Sequence, residues 1–161
     1  MTCLRLCKLE EYLQQLDVFK EPKVLLEQYA TSAHIASHML YTAQSQFNDI
    51  EEIVQCDVLQ YLPGKFEKFF DTVVMNPPFG TKNNTGIDVR FLEAAIKLTS
   101  NVVYSLHKSS TRDYILSKAA QFGAKGTVIA KLRYDLPRAY KFHKKASVDI
   151  QVDFIRFEVN R

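Results

Sequence analysis

Phe70-Asp71-Thr72-Val73-Val74-Met75, followed at once by Asn76-Pro77-Pro78-Phe79, reads as a buried strand that runs into a rigid corner. The two prolines fix φ and remove two backbone donors, leaving an acceptor-rich turn. In open α/β sheets ligands settle beyond the carboxyl ends of the strands, where this corner falls. Such a corner suits a planar amino group, whose lone pair is delocalised and poorly nucleophilic. The side-chain oxygen of Asn76 and the carbonyl of Pro77 can accept its two N–H bonds and aim the lone pair at a sulfonium methyl. Phe79 can stack on a flat substrate, a grip worth roughly 1–3 kcal/mol per base. No general base is needed, because the product cation loses its proton readily. The pattern points to methyl transfer from S-adenosylmethionine onto adenine, cytosine or a glutamine amide. A plain Asn-Pro-Pro turn has the same letters, but a given four-letter word turns up in such a chain only about once in a thousand.

On the amino-terminal side, Leu6, Leu9, Leu13 and Leu16 recur at helical spacing, with a turn expected between Asp17 and Pro22. A second helix is predicted to start at Thr31 or Ser32 as N-cap, carrying Ile35, Ala36, Met39, Leu40 and Ala43 inward. Gln44 to Glu52 is polar and closes this helical opening. Ile53 to Val58 then reads as a short strand, Phe91 to Leu98 as helix, and Val102 to Leu106 as a buried strand. Thr111 to Phe122 is helical and Gly126 to Tyr134 extended. Val148, Ile150, Val152 and Phe154 alternate, and the pattern then shifts to Ile155, Phe157 and Val159, implying a bulge or a strand buried on both faces. Strands alternating with helices predict an α/β sheet with crossover connections. One domain is expected over residues 1–161, with helices in 1–50 and the sheet in 51–161.

The chain has 161 residues, 47% of them apolar, enough for one core. No apolar run approaches the roughly 18 residues that span a bilayer, so no membrane partner is expected. The opening Met1-Thr2-Cys3-Leu4-Arg5 lacks an apolar h-region and reads as helix, not signal peptide. The three cysteines are therefore expected as reduced thiols. The net charge of +3 is mild, but its distribution is uneven. Lys131, Arg133, Arg138, Lys141, His143, Lys144 and Lys145 crowd one stretch, interleaved with Tyr134, Tyr140 and Phe142. That composition suits a phosphate backbone beside unstacked bases, and a solvated loop before a strand would share it.

Several blocks occur together and in order: Glu27-Gln28-Tyr29-Ala30-Thr31, Val54-Gln55-Cys56-Asp57-Val58, Met75 to Lys82, Tyr104-Ser105-Leu106-His107-Lys108-Ser109, Tyr134-Asp135-Leu136-Pro137, Tyr140 to Lys145 and Ser147-Val148-Asp149. In these the chain resembles the ribosomal RNA adenosine N6-methyltransferase family over nearly its whole length. The resemblance implies a class I, Rossmann-like S-adenosylmethionine methyltransferase fold with an N-terminal helical segment. It implies methylation of an adenosine in small-subunit ribosomal RNA, in the nucleus and cytoplasm, with a small zinc-binding activator subunit as partner. By position Gln28 and Thr31 match residues that contact S-adenosylmethionine, and Asp57 and Val58 match the pair that holds its adenine. A turn-forming aspartate is the alternative for Asp57. Arg138, Lys141, Lys144 and Lys145 become the expected RNA-backbone contacts.

The chain also departs from that pattern. Class I methyltransferases carry a first strand ending in an acidic-Gly-x-Gly turn, then a helix and a second strand ending in an acid that binds the ribose. The five glycines here, Gly64, Gly80, Gly86, Gly123 and Gly126, form no G-x-G. Between Ile50 and Ile53 there is no room for a strand and turn, so the fold is expected to be truncated internally by roughly fifty residues. The Val73-Val74 strand would then be an edge unless Ile53 to Val58 crosses to pair with it, and S-adenosylmethionine would bind weakly or not at all. Three functions follow: the RNA enzyme, a catalytically impaired form that keeps RNA- or partner-binding surfaces, and a protein glutamine N-methyltransferase. The basic-aromatic stretch favours RNA over glutamine.

Other side chains carry weaker signals. His34 and His38, four apart on a helix, make half a metal site with no acid or thiol nearby in sequence, and Cys3 and Cys7 share that spacing, so no metal is expected. Cys56 reads as a small buried residue. Asp71 reads as a solvated acid opening its strand. His107-Lys108-Ser109-Ser110 is expected beyond a strand end, as an RNA or phosphate contact or as the cap of the following helix.

Overall fold

Strand β1, Phe70–Met75, lies where the sequence places it and pairs in parallel with β2, Thr99–Lys108, with Val73 opposite Val103 and Met75 opposite Ser105. The computed structural model describes residues 5–16, 31–50, 66–80, 85–137 and 147–160. Strand β4, Ser147–Val159, runs antiparallel between β2 and β3, Ala124–Pro137. The described strands lie in the order β1-β2-β4-β3, so among the described residues β1 is an outer strand. Residues Ile53 to Val58 lie outside the described residues, and so does the possibility of their pairing with β1.

Helices cover both faces. Helix α1 spans Leu6–Gln14, α2 Ala33–Phe47, α3 Ile87–Leu98 and α4 Arg112–Gln121. Val103, Ile155 and Phe157 project from one face of the sheet into a core with Leu92 and Ile96 of α3 and Ile115 and Ala119 of α4. Val102, Tyr104, Leu106, Val152 and Phe154 project from the other face, against Met39 and Ala43 of α2. The period of two along β2 thus feeds two cores, which is why Val102, Val103 and Tyr104 are consecutive apolar residues. Each fully buried Leu or Phe in them contributes about 1.5–3 kcal/mol. Helix α4 approaches β3 closely because Gly126 has no side chain; a Cβ there would meet Leu116 Cδ2 at 2.5 Å.

Several boundaries differ from the sequence reading. Helix α3 starts at Ile87, four residues early, after Gly86 takes a left-handed φ of 79° that only glycine adopts freely. Ser32, one of the two expected caps, accepts from Ile35 N at 3.3 Å, and α2 runs on through the polar residues to Phe47. Strand β4 is buried on both faces from Val152 to Ile155, and the bulge lies opposite it: the register slips between Val128 and Ala130 in β3. Strand β2 continues to Lys108. His107 is therefore inside a strand and not beyond one.

Past Lys108, which faces Val152, β3 and β4 continue as a two-stranded arm to the pair Pro137–Ser147. Because β4 is antiparallel to β2, that arm projects beyond the carboxyl ends of β1 and β2.

Candidate active site

The corner is organised by a hydrogen bond across 45 residues. Asn76 Nδ2 donates to Thr31 Oγ1 at 2.8 Å, tying the residue after β1 to the start of α2. The other amide atom, Asn76 Oδ1, is buried and accepts no hydrogen bond. A buried acceptor left open costs about 1–3 kcal/mol, and such atoms in folded proteins call for a ligand or a strain account. Pro77 is buried beside it and offers only a carbonyl, and Gly80 closes the turn with φ 67°. Two acceptors, Asn76 Oδ1 and the Pro77 carbonyl, thus lie just past the carboxyl end of β1.

Helix α2 is held firmly enough to position Thr31. Its carboxyl end caps with Asn48 in the left-handed region, φ 54°, and turns Asp49 onto the sheet. Tyr104 Oη donates to Asp49 Oδ2 at 2.6 Å, and Arg156 Nη2 reaches the same oxygen at 3.1 Å. The Arg156 guanidinium also lies over the Phe47 ring, 4.6 Å from its centroid, and pairs with Glu158. Thr72 Oγ1 donates to the Asp49 carbonyl, which ties this network to β1. Burial, followed by the bond to Asp49, pushes the Tyr104 hydroxyl well above its ordinary range, so it stays a donor at every working pH. Sequence reasoning missed these residues. Their only signals were an arginine amid the buried alternation of β4 and a tyrosine in an apolar strand.

Phe79 packs on the α2-side core, with the Lys108 ammonium 6.0 Å from its ring centroid. His107, expected near the ligand, is fully buried on the opposite face, its Nε2 2.9 Å from Ser105 Oγ and its Nδ1 without a partner. Burial holds its imidazole down at about 4, so it is neutral, and a contact to RNA phosphate is excluded. Ser109 Oγ donates to Asp153 Oδ1 at 2.7 Å, so it does not cap the following helix as expected, and Arg112 donates to both oxygens of that carboxylate at 2.6 and 2.8 Å. The Arg112 bonds hold the Asp153 carboxyl below its usual range. Of the four-residue segment, only Lys108 stands at the corner.

The remaining expected residues are partly placed. Thr31 sits at the corner and accepts from Asn76. Gln28, Asp57, Val58, Arg138, Lys141, Lys144 and Lys145 lie outside the described residues, as do Cys3 and Cys56. Cys7 is exposed, and the exposed Asp71 accepts from Ser100 Oγ at 3.1 Å. The tertiary fold does bring an acid to His34, Glu10 Oε2 at 3.3 Å, which sequence spacing hid. Among the described residues no group of three such side chains could hold a metal ion, and no helix is long and apolar enough to cross a membrane.

The chain is 45% identical over 210 residues to the Drosophila melanogaster rRNA N(6)-adenosine-methyltransferase Mettl5, covering 99% of both chains. The Danio rerio rRNA N(6)-adenosine-methyltransferase METTL5 is 46% identical over 205 residues, 96% of this chain and 99% of that one. The chain belongs to the rRNA N6-adenosine methyltransferase family. No family model matches it. A crystal structure of PH1948 from Pyrococcus horikoshii, taken to be an RNA methyltransferase, superposes with a TM-score of 0.72 at 25% identity, covering 98% of this chain and 99% of that one. The family therefore has the Rossmann-like α/β fold that β1 to β4 and their helices outline. Against 161 residues, an alignment over 210 leaves roughly fifty positions of the fly relative with no residue here. That is the size of the strand-helix-strand-helix unit that the sequence leads one to expect absent after Ile50.

Proposed function

We propose that this chain accepts an adenosine of small-subunit ribosomal RNA at the Asn76 corner for N6-methylation. The observation that carries the reading is the buried, unpartnered Oδ1 of Asn76, fixed in direction by Thr31. One N–H of the adenine amine would donate to that oxygen and the other to the Pro77 carbonyl, with Phe79 against the ring. The base must leave its stack to reach them. S-adenosylmethionine, the donor the family implies, supplies the methyl when bound. Thr31 fits a role toward it, since its oxygen accepts from Asn76 while its own proton is left to donate. The family's glycine turn does not exist in this chain, so no transfer step is derived through the cofactor.

The arm formed by β3 and β4 supports an RNA substrate over a glutamine side chain. In sequence, the basic-aromatic segment carrying Arg138, Lys141, Lys144 and Lys145 lies between Pro137 and Ser147, the last pair of that arm. These four residues are proposed as backbone contacts, Gln28, Asp57 and Val58 as cofactor contacts, and a zinc-binding activator subunit as partner. Nucleus and cytoplasm are the proposed locations.

A second reading has its own support. The absent glycine turn, with β1 an outer strand among the described residues, favours a form that binds RNA but holds the cofactor weakly. Calorimetric titration with S-adenosylmethionine, paired with mass-spectrometric detection of N6-methyladenosine in a small-subunit RNA hairpin, separates the two. Micromolar binding with methylation supports the enzyme and sinks the second reading. RNA binding without either supports the second, and no RNA binding refutes both.

A further inference from the structure

We propose that Lys108 is a substrate-positioning residue that grips an RNA backbone phosphate flanking the adenosine held at the Asn76 corner. This rests on the RNA reading above and extends it to a residue outside the corner motif. Lys108 is the last residue of β2, and β2 lies directly beside β1 in parallel, so both strands deliver their carboxyl ends to one place. The register puts Lys108 on the same face of β2 as Tyr104 and Leu106, the face that carries Phe79 and α2. Its ammonium lies 6.0 Å from the Phe79 ring centroid, a distance at which the ring's negative face attracts the cation and restricts both side chains.

The electrostatics leave that cation uncommitted. Among the described residues no carboxylate stands within ion-pair distance of Lys108 Nζ. The nearest acid along the neighbouring strand, Asp153, faces the other side of the sheet and is taken by Arg112 and Ser109. The adjacent His107 is buried and neutral and adds no competing charge. Among the described residues this half-buried ammonium has an aromatic face as its one partner, and so it is well placed for a phosphate. A base stacked on Phe79 brings its own sugar-phosphate linkage next to that ammonium. Phe79 would then hold the base and Lys108 the backbone, so that the amine meets Asn76 Oδ1 in one orientation.

The test uses the full chain and a fluorescein-labelled RNA stem-loop with one unpaired adenosine, read by anisotropy between 0.05 and 1 M salt (on the order of the range where counterion release dominates). One lost phosphate contact lowers the salt slope by about 0.7 for single-stranded RNA, hence affinity by about five-fold at 0.1 M, with no difference at 1 M. Lys108→Met should show this loss and Lys108→Arg should restore the slope. 2-Aminopurine placed next to the unpaired adenosine reports its unstacking, and the fluorescence change should shrink with Lys108→Met. Circular dichroism checks that both variants fold, and if Lys108→Met does not, Lys108→Gln takes its place. Wild-type slope in the methionine variant, or equal loss in the arginine variant, overturns the proposal while leaving the corner reading intact. Failure of the unsubstituted chain to bind the RNA overturns both.

Discussion

His107 gives the sharpest prediction, because its burial has a thermodynamic consequence with a definite sign. The imidazole is fully buried and titrates at about 4, against an ordinary value of 6.5. Burial is the main cause; the Asp153 charge works the other way and is outweighed. Below the unfolded value the unfolded chain binds a proton that the folded chain refuses, so folding is favoured most above pH 6.5. As pH falls from 6.5 toward 4 that advantage drains away, in total about 3 kcal/mol, with a steepest slope of about 1.2 kcal/mol per pH unit near pH 5. Asp153 does not confuse the window. Its depressed carboxyl contributes stability above its unfolded value of 3.8 that is lost only at lower pH. Urea unfolding of the unsubstituted chain, His107→Leu and His107→Gln from pH 7.5 to 4.5 measures the difference. The variants lose the Ser105 contact and will start from another stability, so the slope is compared and not the absolute value. Parallel pH curves for all three would refute the account of a buried neutral imidazole.

Two substitutions test how the corner is held. Thr31→Val removes the oxygen that accepts from Asn76 Nδ2 and should destabilise by about 1–3 kcal/mol in thermal unfolding, with weaker RNA binding; an unchanged protein would mean that Asn76 is oriented by something else. Asp49→Ala leaves Tyr104 and Arg156 without their shared oxygen and should cost about 3 kcal/mol, whereas Tyr104→Phe should cost about 1–1.5. The double variant should fall short of the sum, and strict additivity would argue against a shared network.

The parts of the fold visible in the sequence were those with a strict period and a bounded length. Strand β1 was legible to the residue because six strand-forming positions abut prolines that stop it. Helix α3 was read short because its start depends on the backbone angle of Gly86, which no periodicity reveals. His107 was misplaced because a buried histidine and a loop histidine have the same letter. Only the register of β2 against β4, with His107 opposite Asp153, puts it inside. Asn76 was legible as an acceptor from its chemistry, but its partner Thr31 was not. The sequence offered Thr31 as a cap or a cofactor contact, and contact across 45 residues is a property of the packed chain.

The same contacts bear on what the loss of roughly fifty residues does. Thr31 and Asn76 are joined to each other, Asp49 is joined to Thr72, Tyr104 and Arg156, and α2 connects the two groups as one helix. Every one of those contacts lies within residues this chain retains. Breaking them would cost several kcal/mol, a large share of the 5–15 kcal/mol that holds a domain folded. The acceptor corner is thus braced from the α2 side and from β2 by residues this chain retains. The methyl donor's side has no such duplicate, because backbone approach to the cofactor depends on glycines that no other part of the chain supplies. On the proposed reading, adenosine recognition and cofactor binding are therefore separable here, and absence of the glycine turn is expected to leave the first in place.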